Sequence, residues 1–95
     1  MAGYLIAHID VTDPQAFEAY RAAVPAVIEK FGGRYLVRGG AVDVLEGDWT
    51  VPRLVILAFD SVERASKFYA SPEYQEILPL RLAAAKGTVA IVEGV

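Results

Sequence analysis

The sequence predicts an α+β fold of element order βαββαβ, built on one antiparallel sheet. Three helix-start signals, the last two in one helical region, alternate with short runs of strand-like residues. Strict alternation of apolar residues marks the first run, and a run apolar on both sides lies near the middle. At 95 residues the chain is the length of one domain, with no linker, repeat or low-complexity segment to divide it.

The first strand is read from "YLIAHIDV", residues 4–11. Its odd positions, Leu5, Ala7, Ile9 and Val11, are all apolar, whereas Tyr4, Ile6, His8 and Asp10 grow polar along the strand. "TDPQAF" then starts a helix, because Asp13 can accept from free backbone N–H groups and Pro14 lacks a donor that would have no partner there. Phe17, Tyr20, Val24, Val27, Ile28 and Phe31 recur on one helical face. Pro25 is expected to interrupt and kink this helix, and the pair Gly32-Gly33 to end it.

"RYLVRGGAVDVLEG" follows as an extended segment broken at Gly39-Gly40, by either a bulge or a tight turn. "DWTVP" is a loop. "RLVILAF", residues 53–59, is a strand apolar on both parities and hence covered on both faces. Ser61 caps the next helix, whose buried stripe is Val62, Ala65, Phe68 and Tyr69. Ser71-Pro72 repeats the cap-then-proline signal for a further helical piece, which Pro79 is expected to kink or restart. "TVAIVEG", residues 88–94, is the last strand. This order is that of the ferredoxin-like plait, with both helical segments on one face of the sheet.

Such a plait leaves its other sheet face uncovered, with Val, Leu and Phe of the "RLVILAF" strand expected on it. Monomers rarely expose an apolar patch of that extent. Hydrophobic residues make up 55% of the chain, and exchanging its five tyrosines for its eight glycines raises that share further. About 45–50% is usual on the latter definition. A homodimer, stacked sheet to sheet, accommodates the excess.

Charge and composition exclude several function classes. Nine basic and twelve acidic residues are mixed along the chain without a Lys/Arg run, which argues against a nucleic-acid or membrane-surface partner. The absence of cysteine removes disulfides, thiolate ligands and cysteine nucleophiles, and one histidine cannot form a multi-histidine metal centre within a chain. No metal or cofactor is therefore expected. The N-terminal "MAGYLIAHID" lacks a basic region and reaches His8 and Asp10 too early for a signal peptide, so a soluble cytoplasmic location is expected.

"DPQAFEAYRAAVP", "FGGRYLVRGG", "VLEGDW", "SPEYQEILPLRLAAA" and the closing "VEG" resemble the DUF1330 family, from Tyr4 to Gly94. That family consists of short proteins without an established function, so no catalytic residue carries over. The resemblance implies membership of the dimeric α/β-barrel superfamily, in which two plaits pack around a shared interior. Relatives of that architecture include cofactor-independent monooxygenases, muconolactone-type isomerases and haem-degrading enzymes.

Five residues are candidates for a site. His8 is expected to point away from the helices into an inter-subunit cavity, as a proton shuttle or as a histidine satisfied at the interface. Arg38 and Glu46 flank Gly39-Gly40 and would meet across a hairpin, either as an internal pair or with Arg38 holding a carboxylate ligand. Tyr74, Ile77, Leu78 and Arg81 fall on one side of the last helix, so Arg81 shares an apolar stripe. An unpaired charge there is costly, and Arg81 must meet a protein carboxylate or a ligand. Trp49 is a possible interface anchor or lid. Two functions fit. One is a homodimer without turnover, either structural or binding a small organic molecule such as an organic acid in the inter-sheet cavity. The other is a cofactor-independent monooxygenase- or isomerase-like enzyme with His8 moving protons and Arg38 or Arg81 anchoring an anion.

Overall fold

The computed structural model describes residues 1–95. Strand β1 (Gly3–Val11), helix α1 (Pro14–Lys30), strands β2 (Arg34–Arg38) and β3 (Leu54–Phe59), helices α2 (Val62–Ala70) and α3 (Pro72–Ala84) and strand β4 (Ala85–Glu93) follow in chain order. The four strands form one antiparallel sheet in the order β2-β3-β1-β4. This is the expected ferredoxin-like α+β plait. No helix is long and apolar enough to cross a membrane.

The expected caps are in place. The Ala16 amide donates to the Asp13 carboxylate (3.1 Å), and the Ser61 and Ser71 hydroxyls accept from the Arg64 and Tyr74 amides (3.1 Å each). These bonds satisfy helix donors that have no partner within the helix. Gly32 follows α1 with φ +76°, a left-handed conformation that glycine adopts without steric cost. Pro25 and Pro79 do not end their helices: α1 continues to Lys30 and α3 to Ala84 around them. Each costs one backbone bond, and packing on neighbouring elements outweighs it.

Alternation in β1 decides which face is which. Leu5, Ala7 and Ile9 are buried beneath the helices, whereas Tyr4, Ile6 and His8 are only half-buried on the opposite face. The β1–β3 register pairs Leu5 with Leu57, Ala7 with Val55 and Gly3 with Phe59. Directly paired residues share a face, so Val55, Leu57 and Phe59 pack under the helices. The uncovered face carries Leu54, Ile56 and Ala58 instead, reversing the sequence-based assignment for this strand. A strand apolar on both sides leaves that choice to the register.

The segment after β2 also differs from expectation. The strand ends at Arg38, and residues 40–53 form neither a hairpin nor a further strand. Gly39, at φ +72°, turns the chain out of the sheet while its amide still donates to the Leu54 carbonyl (2.8 Å). The bulge lies earlier, between Tyr35 and Val37. The chain then passes across the uncovered face before the Arg53 carbonyl accepts from the Ile9 amide (2.8 Å). β4 starts at Ala85, three residues ahead of the sequence-based start at Thr88.

Candidate functional site

A cavity of about 60 Å³ lies between the helices and the sheet. A single water needs about 10–15 Å³, so the space takes several waters or a small organic molecule. Leu5, Ala7, Leu57 and Val89 form its floor, and Phe17, Tyr20 and Val24 of α1 its roof. Phe68 of α2 and Tyr74 of α3 close one side. Four arginines reach this apolar space, namely Arg21, Arg38, Arg53 and Arg81, and no acidic residue lines it.

Arg81 is the buried member, with a relative exposure of 6%. It sits with Tyr74 and Leu78 on the inward side of α3, where the apolar stripe requires it. No carboxylate pairs with it, because the ion pairs of the fold are Arg21–Glu18 and Lys30–Glu73. Its Nε is buried without a hydrogen-bond partner. A guanidinium remains charged at any ordinary pH. An unpaired buried donor of this kind marks a place where an anion would be strongly favoured.

Arg38 and Arg53 approach from the sheet side. Arg38 pairs with Val55 in register and so shares its helix-facing side. Arg53 lies two residues before Val55, on the same parity. The Arg38 guanidinium lies 4.5 Å from the Tyr35 ring centroid, and that of Arg53 lies 5.8 Å from the Phe17 centroid. A Cβ on Gly39 would fall 2.5 Å from Arg53 Nη1, so glycine at this position leaves room for the Arg53 head group.

The tyrosines complete the polar lining. The Tyr20 and Tyr74 hydroxyls share a hydrogen bond of 2.9 Å. Burial raises the Tyr20 pKa far above its ordinary value; Tyr74 adds to the shift and Arg81 opposes it. Burial likewise raises Tyr35, against the pull of Arg38, Arg53 and Arg21. The cavity thus offers guanidinium and neutral phenol donors. It contains no histidine or carboxylate to exchange a proton near neutral pH. Donors of both kinds can hydrogen-bond to an anion.

Three sequence candidates, Arg38, Tyr74 and Arg81, meet in this cavity. His8 does not. It lies on the uncovered face, its Nε2 3.0 Å from the Thr50 carbonyl and its ring 6.0 Å from that of Trp49. Asp10, Thr50, Pro52, Lys86, Gly87 and Thr88 share an open groove of about 340 Å³ with it. Glu46 is exposed in the irregular segment and forms no ion pair with Arg38, since the hairpin that would join them is absent. Sequence reasoning missed Arg53 and Tyr35. Their signal is parity with Val55 and Leu57, which becomes legible only with the register.

Fold and cavity together define a ferredoxin-like α+β protein with an arginine-rich pocket under its helices. The chain belongs to the DUF1330 family, a domain of unknown function, whose model matches residues 2–95. Among solved structures it is similar to a protein of unknown function from Rhodopseudomonas palustris (TM-score 0.79, 20% identity, covering 99% of this chain and 82% of that one). It is also similar to SnoaB, a cofactor-independent oxygenase from Streptomyces nogalater (TM-score 0.68, 14% identity, 99% and 93% covered). A dimeric ferredoxin-like protein of unknown function from Jannaschia sp. CCS1 matches at TM-score 0.68 and 13% identity, with 99% and 100% covered. At these identities the likeness concerns the fold. No curated protein matches the sequence.

Proposed function

We propose that the protein is a homodimer that binds a small organic anion, one molecule in the cavity of each plait. The observation that carries this reading is Arg81, buried to 6% exposure with no carboxylate partner and an unsatisfied Nε. A ligand carboxylate supplies the missing charge through the paired hydrogen bonds that a guanidinium favours. Apolar walls and aromatic rings suit a short hydrocarbon body. The site is thereby assigned within one plait rather than between two sheets, because Arg38, Tyr74 and Arg81 converge there.

The dimer is supported by the uncovered sheet face, where Tyr4, Ile6, Leu54, Ile56 and the 45%-exposed Val92 lie on adjacent strands. A similar solved structure is described as dimeric. Binding without turnover is favoured over catalysis because His8, the one histidine of the chain, stands on the opposite side of the sheet from the cavity.

Calorimetry with butyrate, and with butanol as an uncharged counterpart, tests the reading. Butyrate is expected to bind and butanol not, with Arg81→Met abolishing the heat of binding. Equal binding of acid and alcohol, or binding that survives Arg81→Met, would overturn it.

A further inference from the structure

We infer that the cavity is two-ended and selects a short dicarboxylate, Arg81 taking one carboxylate and Arg38 with Arg53 taking the other. This rests on the anion-binding reading above and adds its substrate class.

The cations are divided between two places. Arg81 lies in the last turn of α3, which packs mainly on α1 and runs directly into β4, at one edge of the sheet, at Ala85. Arg38 comes from β2 at the opposite edge, and with Arg53 and Arg21 it acts on the Tyr35 phenol. Arg81 thus descends from the helix layer, whereas Arg38 and Arg53 rise from the far side of the sheet, beyond β1. Arg81 is buried, whereas Arg53 is half-buried and Arg38 exposed. One end is therefore deep and the other forms the mouth.

Charge balance points the same way. Arg21 has Glu18 beside it at 3.2 Å, but Arg38, Arg53 and Arg81 have no carboxylate partner. One carboxylate neutralises a third of that unpaired charge, and two neutralise most of it. The mouth is also organised to receive an anion. Guanidinium groups stack face-on against aromatic rings, which keeps their in-plane N–H donors free. Tyr35 and Phe17 offer the rings to Arg38 and Arg53, and the missing Cβ of Gly39 lets Arg53 come close to Arg38's strand. At about 60 Å³ the cavity admits a small organic molecule and no larger body, as a short dicarboxylate requires. A phosphate ester would place both charges at one end and leave the other unpaired.

Calorimetric titration with succinate, butyrate and inorganic phosphate separates the outcomes. Succinate is expected to bind at least about tenfold tighter than butyrate, and phosphate more weakly than succinate. Arg38→Gln and Arg53→Gln should each cut the succinate-to-butyrate ratio to about twofold, with circular dichroism confirming the fold. Arg38 is exposed on an edge strand, so its variant keeps the test available should Arg53→Gln fail to fold. Butyrate binding as tightly as succinate would overturn the two-ended site while leaving the anion site standing. Phosphate equalling succinate would also overturn it, in favour of a single dianion pocket. Binding of none of the three would remove the anion reading and this one with it.

Discussion

The Tyr20 hydroxyl lies 2.9 Å from the Tyr74 hydroxyl, and this bond joins α1 to α3 above the cavity. The rings stand edge to face, with centroids 6.3 Å apart. Tyr74 is 3% exposed, and the Tyr20 hydroxyl is the partner of its own hydroxyl. The pair positions the two helices that carry most of the cavity roof.

Removing either hydroxyl should therefore cost more than the bond itself. Tyr20→Phe strands a buried phenol on α3 and is expected to destabilise by about 1–3 kcal/mol, and Tyr74→Phe by a similar amount. The double variant loses both partners and should cost no more than either single one. Urea unfolding of all four proteins gives the coupling energy. Additive losses would show that the hydroxyls act independently.

Stability should fall on the alkaline side. An unfolded tyrosine ionises near pH 10. Burial holds the Tyr20 and Tyr35 protons to higher pH in the folded chain. Below about pH 10 both states keep these protons and the contribution is complete. Above it the unfolded chain releases protons that the native chain retains, so unfolding gains with rising pH. Tyr20 should give a slope approaching about 1.4 kcal/mol per pH unit, and the more exposed Tyr35 a smaller one. Urea midpoints measured from pH 8 to 11 should decline less steeply in Tyr20→Phe. Parallel profiles for variant and wild type would contradict the assignment.

What was legible in the sequence was whatever depends on near neighbours. Asp13, Ser61 and Ser71 cap their helices because a cap acts within three residues, and β1 declares its faces because its two parities differ. Arg81 was visible as a charge on an apolar stripe, and its burial follows from helical spacing alone. The other face assignments required distant information. β3 is apolar on both sides, so only its pairing with β1 decides that Val55 and Leu57 face the helices. Arg53 enters the cavity by that same register, and its opposition to Gly39 joins positions 14 residues apart through an irregular segment. The separation of His8 from Arg81 is likewise a property of the assembled sheet.

Charging the uncovered face should break the proposed dimer. Ile6 and Ile56 are register partners on that face, so Ile56→Asp puts a carboxylate at its centre. Light scattering of the wild type should give twice the 10.3 kDa chain mass, and its thermal midpoint should rise with protein concentration. Ile56→Asp should give the monomer mass or unfold, whereas Leu82→Asp on the 63%-exposed side of α3 should change neither property. An unaltered mass for Ile56→Asp would show that the copies meet elsewhere.

Arg81→Met should separate stability from binding. A residue retained for the fold alone loses stability when it is replaced, because its partners are left unpaired. Arg81 has no carboxylate partner to strand, and its Nε is already unsatisfied. Methionine is similarly long, fills the stripe between Tyr74 and Leu78, and removes the cost of keeping a charge away from water. Without ligand, the variant should melt at the wild-type temperature or above it. Added butyrate or succinate should raise the wild-type midpoint in proportion to its saturation and leave the variant unmoved. Arg81→Lys keeps the charge but not the planar fork, and its ligand response should fall between the two. A large loss of stability in Arg81→Met, with Arg81→Lys restoring it and no response to either acid in any protein, would make Arg81 a structural charge and take the cavity out of consideration as an anion site.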